Sequence, residues 1–175
     1  GGEIWQKDLV KEYGAKTPMW GFSAHPLVDG DLLYCLAGGE GSVVVAFDKN
    51  NGKEVWRALA AAEIGYCPPT ILNHGGVRQL IVWHPESLNS LDPETGELHW
   101  TIPVKPDYGM SIATPRFSGS LLYVAGIRGK GALIKLNSTR PAAEVVWRGQ
   151  TRSAVYPATG SPFIENGMIY GCDSG

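Results

Sequence analysis

Histidine, serine and cysteine, the residue types that most often carry chemistry, occur in this chain at spacings that fit no common catalytic or metal-binding motif. The histidines are His25, His74, His84 and His99. None belongs to an HExxH pattern, which presents two zinc ligands on one helix face. Ser23, Ser111 and Ser161 lack the Gly-x-Ser-x-Gly context that exposes a nucleophile. The sequence therefore predicts no catalytic residue and no metal ligand.

The cysteines and one glycine-rich stretch do not indicate a catalytic or ligand-binding site either. Cys35, Cys67 and Cys172 are an odd number without CxxC spacing, so three free thiols are expected. A disulfide from Cys67 to either of the others stays open, because spacing alone does not establish one. The segment 126–131 looks like a phosphate-binding loop, but it joins two predicted strands and opens no helix. We interpret it as a hairpin loop.

Bulk composition excludes several classes of protein. The hydrophobic fraction of 43% is that of a globular chain, and the 23 glycines and 12 prolines are typical of many short strands and tight turns. A net charge of −2 argues against nucleic-acid binding, which uses a basic stripe. No apolar run approaches the length of a membrane-spanning helix. The first residues also lack the basic start and apolar core of a signal peptide.

The most informative feature is an internal repeat. The segments 46–56 and 90–100 align, a divergent copy occupies 134–147, and the end of another copy opens the chain. The repeat tryptophans, Trp5, Trp56, Trp100 and Trp147, are 51, 44 and 47 residues apart. Prolines at positions 26, 69, 115 and 162 keep a similar period of 43, 46 and 47 residues. A period of this length in strand-rich sequence is typical of propeller blades.

Each repeat reads as four strands joined by turns. In the first copy, apolar strands over 26–28 and 32–36 flank a turn at Asp29-Gly30, and a valine-rich strand over 42–47 precedes an outer strand that begins at 54. No stretch has a convincing helical period, and the nearest candidate, 58–64, is short. The sequence therefore predicts an all-β fold of four-stranded antiparallel blades.

The recurring residues have structural tasks. Aspartate accepts hydrogen bonds from the amides of its own turn, glycine adopts a positive φ, and tryptophan buries a large ring against the next blade. We assign these structural roles to Asp48, Gly52, Trp56, Asp92, Gly96, Trp100 and Trp147.

The pattern Ala-x-Asp-x-x-(Thr/Asn)-Gly-x-x-x-Trp resembles the tryptophan-docking repeat of the pyrroloquinoline quinone (PQQ) propeller family. Segment 46–56 fits every marked position, and 90–100 differs only by Ser90 for alanine. In 134–147, Asn137 replaces aspartate, the Thr-Gly pair is lost and two residues are inserted. The resemblance implies about half of an eight-bladed ring, with seven blades as the alternative.

The chain is accordingly expected to be a fragment of a larger ring. We place three blades at 24–66, 67–112 and 113–157, the end of a preceding blade and its loop at 1–23, and the start of the next blade at 158–175. The remaining blades of the full-length chain are then its first partners, because open blade faces expose apolar surface.

Family members include PQQ- and Ca²⁺-dependent alcohol or sugar dehydrogenases and non-catalytic extracytoplasmic proteins. The resemblance implies an adjacent Cys-Cys pair and an Asp, Glu and Asn set around calcium in the dehydrogenases, and this chain has no Cys-Cys pair. The sequence therefore favours a non-catalytic binding or assembly scaffold without a cofactor. The resemblance implies a periplasmic or otherwise extracytoplasmic bacterial location. The alternative is a quinoprotein dehydrogenase with PQQ and Ca²⁺.

Long loops are the best candidates for a binding site, because loops on a rigid scaffold often carry binding residues. Four long connections should emerge on one face of the blades, whereas two-residue turns should occupy the other. An unknown protein, peptide or small ligand is expected to bind on this face, near the channel mouth. The predicted contact residues are Trp20, Phe22, His25, Tyr66, Tyr108, Arg152 and Tyr156.

Overall fold

The computed structural model describes residues 1–150 and 152–174 and shows three four-stranded antiparallel sheets followed by a two-stranded pair. The first sheet comprises β1 (Leu27–Asp29), β2 (Leu32–Leu36), β3 (Val44–Asp48) and β4 (Glu54–Ala58). The second comprises β5 (Thr70–His74), β6 (Val77–His84), β7 (Ser87–Leu91) and β8 (Leu98–Pro103). The third comprises β9 (Arg116–Ser118), β10 (Leu121–Ala125), β11 (Gly131–Leu136) and β12 (Ala143–Arg148). The pair is β13 (Phe163–Glu165) and β14 (Met168–Tyr170).

Strands within each sheet are neighbours in the order of the chain, which is the meander expected of a propeller blade. The predicted all-β architecture of four-stranded blades is confirmed, and we refer to the three sheets as blades 1, 2 and 3. Within the described residues, no helix is long and apolar enough to cross a membrane.

A β-bulge recurs at the same place in every blade, one residue before the repeat tryptophan. The strand register shifts so that Val55, His99 and Val146 have no opposite partner. A bulge locally increases twist and redirects the next side chain. The repeat tryptophan is thereby aimed consistently relative to its sheet.

The core lies between blades rather than within one. One cluster joins blades 1 and 2 and includes Tyr34, Trp56 and Leu80. A second cluster joins blades 2 and 3 and includes Trp83, Trp100 and Ile134. Face-to-face burial of neighbouring sheets is what holds the long loops at their ends in fixed relative positions.

The repeat tryptophan of one blade docks on the β3–β4-type turn of the next. The indole nitrogen of Trp56 donates to the carbonyl oxygen of Pro93 at 3.0 Å, and that of Trp5 donates to Lys49 in the equivalent position at 2.8 Å. A Cβ built on Gly96 would lie 2.5 Å from the Trp56 ring. Glycine is therefore needed both for its positive φ and for the space that the ring fills.

The third docking site is different, as its divergent sequence indicates. The oxygen of Asn137 still accepts from the amides of Thr139 and Arg140, at 2.9 and 3.2 Å. However, the backbone of Gly75 lies against the Ser138 carbonyl, which is the counterpart of the Lys49 and Pro93 acceptors. Trp100 instead donates to Gln79 Oε1 of its own blade at 2.9 Å, although its ring still packs between blades 2 and 3.

One short helix was missed by the sequence analysis. Helix α1 (Leu9–Tyr13) begins at Asp8, whose carboxylate accepts from the Lys11 amide at 3.0 Å, and ends at Gly14 with φ +64°. Asp8 and Gly14 are residue types that often cap helices, but five helical residues are too few to show a helical period in the sequence. Tyr13 and Leu9 pack with Trp5 against Val45 and Phe47, on the face of blade 1 that does not contact blade 2.

Candidate functional site

Four long connections emerge at one end of the sheets, which we call the long-loop face. They are 14–26 before β1, 59–69 between β4 and β5, 104–115 between β8 and β9, and 149–162 between β12 and β13, of which 151 is outside the described residues. The opposite end holds the two-residue turns that follow β1, β5, β9 and β13. Antiparallel meander topology dictates this separation.

The four long loops converge on a single apolar cavity of about 350 Å³. Its lining residues, at least one from each loop, are Trp20, Ser23, Tyr66, Met110, Ile112 and Thr159. The rings of Trp20 and Tyr66 are tilted against each other with centroids 5.4 Å apart. The lining therefore includes two aromatic rings, a flexible thioether and three residues with a hydroxyl group, which suit an apolar group with a polar edge.

The structure brings only two of the predicted contact residues into this cavity. Trp20 is 54% exposed, whereas Tyr66 is mostly buried and presents its ring to the cavity wall. Phe22 lines a separate hollow beside helix α1, and His25 is exposed, with its ring nitrogen 3.2 Å from the Pro26 carbonyl oxygen. Arg152 is exposed. Met110, Ile112 and Thr159 were not among the predicted contact residues, because nothing in their local sequence signals the convergence of four loops.

Tyr156 has a different environment from the other predicted contact residues. It is 2% exposed and packs with Tyr123 and Ala125 in a cluster that joins blade 3 to the β13–β14 pair. Its hydroxyl lies 2.7 Å from Ser153 Oγ and accepts from the Gln150 amide at 3.1 Å. These contacts join Tyr156 to Gln150 and Ser153 of the same loop, so Tyr156 orders this loop.

Tyr108 is 69% exposed and is held from outside its own loop. Arg128, on the β10–β11 loop, donates to its hydroxyl at 2.9 Å, and the guanidinium lies 5.3 Å from the ring centroid. Both residues have positive φ, +58° for Tyr108 and +56° for Arg128. Non-glycine residues in this region of φ are uncommon and tend to occur at functional sites. Sequence reasoning could not find this pair, because the two residues lie on separate loops.

The hairpin between β6 and β7 contains a histidine–serine pair that could resemble a nucleophile and its base. His84 is 3% exposed, and its Nε2 lies 3.1 Å from Ser87 Oγ. Its Nδ1 accepts from the Glu86 amide at 3.3 Å, which places the ring proton on Nε2. The imidazole therefore donates to Ser87, and the serine donates onward to Asn89 Oδ1 at 3.1 Å. An imidazole in this tautomer does not accept the serine proton, so the pair is structural.

Burial lowers the pKa of His84, and the nearby Glu86 carboxylate opposes that shift only in part. The neutral ring is thus the favoured form inside the hairpin. Glu86 itself accepts from the Ala62 amide at 3.1 Å, which connects the hairpin to the loop before β5. This arrangement fixes one of the cavity-forming loops without providing catalytic chemistry.

The cavity does not fit the PQQ and calcium site of a quinoprotein dehydrogenase. Calcium is bound by several carboxylate or carbonyl oxygens, whereas no carboxylate or side-chain amide lines this cavity. Among residues 1–150 and 152–174, no group of three or more His, Cys, Asp and Glu side chains could hold a metal ion.

Solved structures of similar architecture share the fold but little sequence. The crystal structure of BamB from Moraxella catarrhalis superimposes with a TM-score of 0.60 at 20% identity, over 85% of this chain and 45% of that one. The quinohemoprotein alcohol dehydrogenase ADHIIG from Pseudomonas putida HK5 gives a TM-score of 0.51 at 19% identity, over 77% of this chain and 21% of that one. The chain thus spans less than half of either structure, and identities this low show the fold alone.

Comparison with curated proteins finds no matching sequence. A family model, described as outer membrane protein assembly factor BamB, matches residues 1–74 and 84–175, which is nearly the whole chain. The repeats, the docked tryptophans and the blades agree with that match. The chain therefore belongs to the BamB-like family of PQQ-type β-propeller repeat proteins.

Proposed function

We propose that this protein is a non-catalytic binding or assembly scaffold that acts outside the cytoplasm. The observation that carries the proposal is the convergence of four long loops on one apolar cavity at the long-loop face. A rigid set of blades holds the loops, and aromatic side chains provide contact area at low entropic cost. The description of the family as an assembly factor supports protein binding and an extracytoplasmic location.

The dehydrogenase alternative has less support. Among residues 1–150 and 152–174, no three His, Cys, Asp or Glu side chains come together as calcium ligands would. Likeness to a quinohemoprotein dehydrogenase at 19% identity concerns the fold, which many functions share.

Site-specific photo-cross-linking in a Gram-negative host tests the scaffold function. A benzophenone amino acid at Met19, which is 84% exposed on the long-loop face beside Trp20, should give a discrete cross-linked product with another protein. The same probe at Asn50, which is exposed on the opposite face, is the matched control and should give none. Equal products from both positions would contradict a specific binding face.

A second measurement tests the enzyme alternative directly. The full-length gene product is incubated with PQQ and Ca²⁺ and assayed for alcohol-dependent dye reduction. We expect no reduction above the protein-free control, and turnover that requires both PQQ and Ca²⁺ would overturn the scaffold proposal.

A further inference from the structure

The part of the long-loop face around blade 3 is basic, although the whole chain has a net charge of −2. Five exposed cationic side chains emerge from its loops and strand ends: Lys105, Arg128, Lys130, Arg148 and Arg152. The carboxylates on the same face include Asp107, 3.8 Å from Lys130, and Glu63, whose oxygen is close to Gly109. They also include Glu86 in the β6–β7 hairpin, and Asp173, which accepts from the Tyr156 amide at 2.8 Å. Within the described residues, no carboxylate lies within 4.0 Å of the other four cations. We call the five cationic side chains the basic patch; four of them have no ion-pair partner among residues 1–150 and 152–174.

One loop connects the basic patch to the apolar cavity. Its first part, Asp107 and Tyr108, contacts Lys130 and Arg128. Two residues further on, Met110 enters the cavity wall together with Ile112. The loop from 149 to 162 makes a second connection, because it carries both Arg152 and the cavity residue Thr159. Apolar and cationic contact areas are thus adjacent and held on the same loops.

We propose that the partner presents an acidic segment of polypeptide, with one aromatic or aliphatic side chain that fills the cavity between Trp20 and Tyr66. Carboxylates next to that anchor pair with Arg128, Lys130 and Arg152. This inference rests on the proposed scaffold function and specifies the chemistry of what the scaffold binds.

The size and position of the two areas favour a peptide over a small anion or a nucleic acid. A cavity of about 350 Å³ accommodates one side chain, but its lining offers no cation, so the charges of the ligand must lie outside it. An extended chain supplies an anchor and flanking carboxylates together. The phosphate backbone of a nucleic acid would use the cations but gain nothing specific from the apolar cavity, whereas a peptide side chain fills it.

Fluorescence anisotropy with labelled synthetic peptides tests the proposal on the full-length gene product. The probe has a single phenylalanine flanked by glutamates; one control peptide has lysines instead of glutamates, and another has serine instead of phenylalanine. We expect the probe to bind at least about tenfold more tightly than either control, and its affinity to fall with rising ionic strength. Equal affinities for the glutamate and lysine peptides would overturn the proposal.

Protein variants test the contributions of the basic patch and of the apolar cavity separately. The double variant Arg128→Glu, Lys130→Glu should weaken the glutamate peptide about tenfold or more. The double variant Lys53→Glu, Lys135→Glu makes the same change of net charge at exposed positions outside the long-loop face and should have little effect. Trp20→Ala should remove the preference for phenylalanine over serine. Equal losses from the two charge variants, or tighter binding of an oligonucleotide than of the peptide, would contradict the inference.

The peptide and cross-linking experiments together distinguish a failure of the acidic-peptide inference from a failure of the scaffold function. If the peptides show no charge preference while the benzophenone probe at Met19 still gives a specific cross-link, the acidic chemistry is wrong and the scaffold function stands. If the Met19 cross-link is absent, the scaffold function itself fails.

Discussion

The indole nitrogen of Trp56 and the carbonyl oxygen of Pro93 are 3.0 Å apart, and this hydrogen bond joins blade 1 to blade 2. The hydroxyl of Tyr34 donates to the same carbonyl at 3.1 Å, so one turn oxygen receives two buried donors from the neighbouring blade. Glycine at position 96 leaves the space that the indole ring occupies. The repeat motif thus joins neighbouring blades, and we expect a change in its tryptophan or its glycine to weaken the same contact between blades.

Gly96→Ala should destabilise the protein more than a matched glycine change. Gly96 and Gly76 have φ of +75° and +76°, but a Cβ at Gly76 would meet nothing within 4 Å. We expect Gly76→Ala to cost about 1 kcal/mol for its backbone conformation and Gly96→Ala roughly 2–4 kcal/mol, because overpacking against Trp56 adds to it. Urea unfolding measures both, and equal losses would contradict a steric role for the docked ring.

The architecture was predictable because the repeat encodes it locally. Asp48 and Asp92 organise turns within five residues, and the tryptophan period then fixes how the turns are arranged in space. The cavity was not predictable in the same way. Tyr66 and Tyr156 both lie in long loops and look equivalent in sequence, yet one lines the cavity and the other is buried against blade 3. Which of the two occurs depends on how separate loops pack, and no local pattern records that.

In blade 2 the repeat tryptophan, Trp100, donates to a buried glutamine side chain, Gln79, instead of a turn carbonyl. Its Oε1 accepts from Trp100 at 2.9 Å and from Ser90 at 2.7 Å, and the chain carries leucine at the equivalent positions of blades 1 and 3, Leu32 and Leu121. Gln79→Leu leaves two buried donors without their acceptor and should cost about 1–3 kcal/mol.

A double-mutant cycle with Trp100→Phe assigns that loss. We expect the cost of Gln79→Leu to fall by about 1 kcal/mol when Trp100 no longer has an N–H to satisfy. Additive free energies of unfolding in urea would show that the glutamine does not replace the missing turn carbonyl.

The three thiols should differ in reactivity. Burial raises the pKa of Cys67 to about 12 and also raises that of Cys35, whereas Cys172 is exposed. Because the thiolate is the reactive form, brief treatment of the native protein with iodoacetamide at mildly alkaline pH should modify Cys172 first. Peptide mapping by mass spectrometry identifies the labelled residue. Rapid labelling of Cys67 in the native state would contradict its burial between blades 2 and 3.

The stability of the protein should fall at mildly acidic pH partly through His84. Burial lowers the pKa of this imidazole in the folded protein, while in the unfolded chain it titrates near its ordinary value of about 6.5. The unfolded state therefore binds more protons as the pH falls from about 7 towards the folded pKa, so the free energy of unfolding decreases over that window.

His84→Gln removes this proton linkage and should flatten the pH dependence, whereas His25→Gln, which removes an exposed imidazole from the same face, is the control. Urea unfolding between about pH 5 and pH 8 measures the slopes. An unchanged slope in His84→Gln would mean that the buried ring is protonated as readily in the folded protein as in the unfolded chain, which would contradict the lowered pKa.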